Sequence, residues 1–294
     1  MMAPMSDAPT DLDRLRSWIG RSETRGDVAS ATPVAALSAT LDRDDAPPMP
    51  GTEVPPLWHW LYFTPLTRAR DLGADGHAKL GGFLPPVPLP RRMWAGGRLE
   101  FVRALRVGEA LTRTSRIADV SVKHGRSGAL VFVAVDHEIA GAEGVAVRER
   151  HDIVYREPPR PGAAAAPPQP APHDEAFARE IVPDPVLLFR YSALTFNGHR
   201  IHYDRSYVTE VEGYPGLVVH GPLIATLLLD LLRRERPDGR VRRFEFRALR
   251  PVFDIHRFTV CGRPEADGPR RFALWARDHE GMLAMQASAE LDAR

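Results

Sequence analysis

The sequence predicts an α+β protein built twice over: two antiparallel sheets, each wrapping a central helix. Three observations carry that reading. Each half of the chain ends in four strand-like runs separated by turn signals. Helical segments precede each set of strands. A proline-rich stretch divides the 294 residues into two parts of ordinary domain size.

In chain order, Asp11–Ile19 spaces Leu12, Leu15 and Ile19 as a short helix. Val34–Leu41 follows Pro33 and carries Ala36, Leu37, Ala39 and Leu41 as a second. Strands are expected at Leu99–Leu105, Leu111–Val122, Ala129–Ile139 and Val145–Tyr155, where β-branched residues alternate with polar ones. Turns at Gly108, at Gly125 and Gly128, and at Gly141 and Gly144 part them. Glu157–His173 then holds seven prolines and four successive alanines. Proline fixes φ and lacks a donor, so this segment should be an extended connector. The expected domains are residues 1–156 and 174–294, with 157–173 as linker.

The second half contains the clearest helix, Gly221–Arg234. Pro222 sits in its first turn, where a missing N–H costs nothing, and Arg233 and Arg234 suit its C-terminal dipole. Pro237 and Gly239 stop it. Leu223, Ile224, Leu227, Leu228, Leu231 and Leu232 leave little polar face, as expected of a helix wrapped by a sheet. Strands are expected at Val241–Leu249, His256–Arg263, Arg271–Asp278 and Leu283–Leu291. Two short repeats tie the halves together. Arg103-Ala104-Leu105-Arg106 recurs as Arg247-Ala248-Leu249-Arg250, and Asp136-His137-Glu138 as Asp278-His279-Glu280. They keep the same order and nearly the same offset, which points to duplication.

Composition removes several classes of function. Lys+Arg is 39 and Asp+Glu is 38, so the +1 net charge argues against a nucleic-acid partner. A single cysteine, Cys261, excludes an internal disulfide framework and a cysteine-based zinc site. No basic start leads into an apolar core, so no signal peptide is expected. The longest apolar run, Leu223–Leu232, is far short of the roughly 20 residues that span a bilayer. A soluble cytoplasmic protein with no membrane partner is expected. No phosphate-cradling glycine loop or serine-nucleophile elbow is present in the sequence.

The chemistry-bearing stretch is Tyr191–Pro222, with His199, His202 and His220 just ahead of the apolar helix. Phe196-Asn197-Gly198-His199-Arg200-Ile201-His202-Tyr203-Asp204, followed by Val218-Val219-His220-Gly221-Pro222-Leu223, resembles the hydratase motif of the MaoC-like hot dog family. The subgroup it most resembles holds fungal-type 3-hydroxyacyl-thioester dehydratases and bacterial mesaconyl-C4-CoA (3-methylfumaryl-CoA) hydratases. The resemblance implies a double hot dog fold, with a degenerate N-terminal unit shaping the acyl pocket and a catalytic C-terminal unit. It implies a lyase that adds or removes water across the α,β double bond of an enoyl thioester. The substrate would be an acyl-CoA, with no separate cofactor and no metal, and a homodimer is admitted.

The resemblance assigns catalysis to Asn197 and His202 and the oxyanion contact to Gly221, and His199 and His220 are further candidates for substrate contact. Physical chemistry agrees in part. An imidazole can take a proton from water near neutral pH. Gly221 opens the helix, so its N–H suits a developing enolate oxygen, and the absent Cβ admits close approach. Asn197 stands where the family has Asp. An amide orients water but is neither acid nor base near pH 7, so Asp204 or His199 could assist His202. Blander readings stand beside these. His202 could be a satisfied core histidine, and His220 could simply pack against the helix start. His199, His202 and Asp204 lack the ligand spacing of a metal site. Trp58–Phe63 could line the pocket, and Arg91-Arg92 or Arg233–Arg236 could receive CoA phosphates. The first half should hold no catalytic base. A thioesterase using Asp230 or Glu212, and a non-catalytic acyl-thioester binder, are the alternatives.

Overall fold

The computed structural model describes residues 12–125, 128–157, 167–266 and 268–292. The first half comprises α1 (Leu12–Arg16), β1 (Ser22–Val28), α2 (Ala31–Thr40), β2 (Glu53–Val54), β3 (Arg91–Phe101), β4 (Leu105–Arg106), β5 (Ala110–Gly125), β6 (Gly128–Gly141) and β7 (Gly144–Arg156). The second comprises β8 (Phe177–Ile181), α3 (Pro185–Thr195), α4 (Gly221–Glu235), β9 (Val241–Ala248), β10 (Phe258–Glu265), β11 (Gly268–Arg277) and β12 (Leu283–Leu291). Among the described residues, no helix is long and apolar enough to cross a membrane.

The two meanders meet edge to edge as one antiparallel sheet in the order β1-β5-β6-β7-β3-β9-β12-β11-β10-β8. That order is palindromic, with β3 and β9 at its centre, so the duplication expected from the short repeats is written in the topology. Side-by-side pairing of the two units is thereby achieved within one chain. Gly96–Glu100 pairs with Arg243–Arg247 across the centre. Glycine is required there: a Cβ on Gly96 would lie 2.7 Å from the Phe246 carbonyl oxygen, and one on Gly97 2.9 Å from that of Arg150.

In the second half, α4 is buried at every residue from Leu223 to Leu232 and packs against β8, β10, β11 and β12. Each fully buried leucine or isoleucine contributes about 1.5–3 kcal/mol. The first half differs. Its helix α2 packs on α3 and on the turn Trp58–Leu61 rather than lying along the meander. One face of β5, β6 and β7 carries Arg113, Ser115, His137, Glu149 and His151, because Ser115, His137 and Glu149 are cross-strand partners and side chains two apart share a face. Arg113, His137, Glu149 and His151 on this face open into a cavity.

The remaining departures have local causes. β3 begins at Arg91 rather than Leu99, and a bulge between Trp94 and Gly96 breaks the alternation that would have shown it. Asp136-His137-Glu138 lies within β6, whereas Asp278-His279-Glu280 lies in the turn after the shorter β11. Of the expected linker, residues 158–166 fall outside those described. Gln169–Ala171 lies against the β11–β12 turn: Leu283 N–H donates to Gln169 at 2.8 Å and Ala171 N–H to Gly281 at 3.0 Å.

Candidate active site

Helix α3 delivers the motif. Asp184 caps it, accepting from Leu187 N–H at 2.8 Å, with Pro185 at its first position. Phe196 ends it in the left-handed region (φ 50°), and Asn197 N–H returns to the Ser192 carbonyl at 2.8 Å. Asn197 Oδ1 then accepts from His199 N–H at 3.0 Å, a local turn that leads into the short helical turn Arg200–His202.

His202 is buried, with Nδ1 2.7 Å from the Val218 carbonyl oxygen. A carbonyl only accepts, so Nδ1 carries the proton and Nε2 presents a lone pair. Burial pushes the His202 pKa down to about 4, so the ring is neutral at pH 7. Burial, then the neighbouring His77 and His202, push that of His199 down to about 2. The His199 ring meets His202 edge-on at 5.3 Å between centroids. Gly221 is the first residue of α4 and lines the cavity, and its N–H has no acceptor within the helix.

One expected contact is corrected. The sequence reading puts His220 on the substrate, but His220 is wholly buried and does not line the cavity. It stacks behind His202 at 3.7 Å and pairs through Nε2 with Ser192 Oγ at 2.8 Å. Its place is to back the His202 ring. Asn197, His199, His202 and Gly221 are brought together on the cavity wall. Asp204 is not: it lies off that wall, bound to Arg200 at 2.8 Å, to Ser206 Oγ and to Tyr207 N–H.

The first half adds residues that sequence reasoning missed. Asp75 Oδ2 lies 2.8 Å from His77 Nδ1, and the His77 ring lies 4.0 Å from that of His199. Burial works against charge on Asp75, but hydrogen bonds from His77 hold its carboxyl well below the usual range. Gly76 (φ +88°) lets this loop press on the motif: a Cβ there would lie 1.9 Å from the Gly198 carbonyl oxygen. Asp75, His77 and His199 bring potential metal-ligating atoms within 4.8 Å of one another. Asp75 already accepts from His77, however, and the nearby Arg92 charge works against a cation.

The cavity, about 1250 Å³, runs from these histidines past Trp94 into the first-half chamber. His59, Trp60, Tyr62 and Phe63 line it, whereas Trp58 and Leu61 are core. Buried Glu149 accepts from His59 Nε2 at 3.0 Å, Trp60 Nε1 at 2.8 Å and His151 Nε2 at 2.6 Å. Arg113 is different. Among the described residues it makes no hydrogen bond or ion pair, its Nε is buried without a partner, and its guanidinium sits over the Phe63 ring at 5.1 Å. Its cross-strand neighbour is Arg25, and burial followed by that like charge lowers its pKa.

Of the two carboxylates proposed for a thioesterase, Asp230 lies off the cavity and Glu212 lines it but is paired. Asp230 is buried among Arg43 (2.7 Å), Arg179 (3.0 Å) and Arg234 (2.8 Å), off the cavity wall. Glu212 pairs with Arg91 at 3.2 Å. Arg233 is likewise occupied by Asp45 at 3.0 Å rather than open to a phosphate.

Comparison with known proteins gives the family and the fold. Residues 57–254 match the family described as hydroxyacyl-thioester dehydratase type 2. A mesaconyl-C(4)-CoA hydratase of Chloroflexus aurantiacus is 46% identical over 275 residues, covering 94% of this chain and 97% of that one. In fold, HtdX of Mycobacterium tuberculosis aligns with TM-score 0.63 at 20% identity, over 92% of this chain and 99% of its own. A second M. tuberculosis protein with a double hotdog fold aligns with TM-score 0.57 at 16% identity, over 97% and 98%.

Proposed function

Because the chain belongs to the hydroxyacyl-thioester dehydratase type 2 family, we propose that it hydrates a short enoyl-CoA carrying a free carboxylate, namely mesaconyl-C4-CoA. The protein is a hydro-lyase, adding or removing water across the α,β double bond of an acyl thioester. In the proposed mechanism the thioester oxygen lies at Gly221 N–H, where the start of α4 stabilises the enolate. His202 Nε2 takes a proton from water as the oxygen adds to the β-carbon, and returns that proton to the α-carbon. His220 and the Val218 carbonyl fix the ring and its tautomer. A reducing compartment, the cytoplasm, suits the single buried Cys261.

The observation that carries the substrate class is Arg113. A hydrocarbon tail in this chamber would enclose a guanidinium that Glu23, Asp27 and Glu149 attract but none of them hydrogen-bonds, which costs free energy. A carboxylate on the acyl group supplies the missing partner through charge-assisted hydrogen bonds. The Arg113→Leu variant tests this. Its kcat/KM on mesaconyl-C4-CoA should fall roughly 10–100-fold, as expected when a hydrogen bond to a charged group is lost, and change little on crotonyl-CoA. Equal losses on both substrates would remove the carboxylate role.

A further inference from the structure

The histidines of the second half leave one requirement unmet. A water poised for attack needs a second polar atom to hold it opposite the base. Asn197 commits one acceptor site of its Oδ1 to His199 N–H; its NH2 can only donate to a water, and it has no acid–base chemistry. Asp204 and Asp230 are bound to arginines away from the cavity, and Glu212 is paired with Arg91. One carboxylate is joined to the histidine cluster, and it comes from the other half of the chain.

We propose that Asp75 and His77 complete the catalytic machinery: His77 Nε2 holds the attacking water opposite His202, and Asp75 fixes His77. This rests on the hydratase reading above. Asp75 accepts from His77, which places the proton on Nδ1 and leaves Nε2 as a lone pair. Val218 sets His202 in the same tautomer. Both rings flank His199, at 4.0 Å and 5.3 Å, and both line the cavity.

One O–H bond of water breaks toward His202 Nε2 while the oxygen bonds to the β-carbon. The π pair moves onto the thioester oxygen at Gly221 N–H. The other hydrogen stays on the new hydroxyl, hydrogen-bonded to His77 Nε2. The proton on His202 then passes to the α-carbon. The Asp75 charge acts on His77 and His199, holding the His77 ring in place, while the Val218 carbonyl supports the transient imidazolium on His202.

The loop is built for this placement rather than resting there by accident. Arg200 N–H donates to the Asp75 carbonyl at 2.9 Å, and Arg200 Nη1 to that of Ala74 at 3.1 Å. The backbone contact between Gly76 and Gly198 leaves no room for a side chain.

The test measures kcat and KM for hydration with the full chain as wild type, Asp75→Asn, His77→Ala and His77→Gln, each checked by thermal melting. His77→Ala should lower kcat roughly 100-fold or more, with KM within about threefold and partial rescue by added imidazole. His77→Gln covers the case in which His77→Ala does not fold. Asp75→Asn should lower kcat about tenfold, since the hydrogen bond survives and the charge does not. EDTA should have no effect. A folded His77 variant with kcat within about threefold of wild type overturns the proposal. Loss of wild-type activity in EDTA also overturns it, because Asp75, His77 and His199 would then be metal ligands. A wild type that hydrates no enoyl thioester removes the hydratase reading itself, and this role with it.

Discussion

His202 is the proposed base, and its surroundings keep it neutral. Its folded pKa is about 4, against roughly 6.5 for an unperturbed histidine. The acid limb of kcat/KM should therefore lie near pH 4, well below 6.5, and a pH–rate profile checks this. The same shift links folding to pH. Above pH 6.5 both folded and unfolded states are neutral. As pH falls from 6.5 toward 4, the unfolded chain takes up the proton first, so stability is lost across that window. Melting temperature measured from pH 7 to 4 should fall accordingly, and less steeply in His202→Ala. That variant should also lose hydration by roughly 10²–10⁴-fold. Asn197, His199, His202 and Gly221 were legible in the sequence because they sit within one local motif. Asp75, His77 and Arg113 were not, since no spacing connects them to residues some 100 positions away. Only the folded loop and sheet face bring them to the same cavity.

Elements differed in legibility for physical reasons. Helix α4 announces itself through an apolar run interrupted by Thr226 and Asp230, and a proline at its start. Strands β6 and β9 show alternation because one face is buried, whereas β10, β11 and β12 carry buried runs of three. The edge strand β1 buries no residue, so Ser22–Val28 carries no apolar pattern. Five-residue β8 is too short to establish a period. Helix α3 did have a readable signal in Asp184-Pro185, but its exposed Val186 and Phe189 blur the apolar stripe. The acidic residue within α4 has a structural purpose. Asp230, 1% exposed at its side chain, binds three arginines and ties α4 to β8 and to the segment after α2. Asp230→Ala should cost about 1–3 kcal/mol, measured by denaturant unfolding, because Arg179 and Arg234 lose their carboxylate partner while Arg43 keeps Asp45.

At the scale of the whole molecule, the two halves are one working unit. The sheet is continuous through β3 and β9, and the cavity takes its walls from both sides. A fragment beginning at Asp174 would bare the edge of β9 and lose Asp75, His77 and Arg113 together. It should be poorly soluble and inactive; a soluble fragment with full hydration activity would contradict that reading. The duplication was visible in two short repeats, but the cavity in the first half was not, because it depends on α2 lying away from the meander. The most direct test of the account follows the enoyl-thioester absorbance of mesaconyl-C4-CoA with the purified full chain and a thiol reagent present. The account predicts loss of the absorbance with no thiol released, and neither change in His202→Ala. Release of free CoA, or an absorbance that stays constant with the wild-type protein, would contradict it.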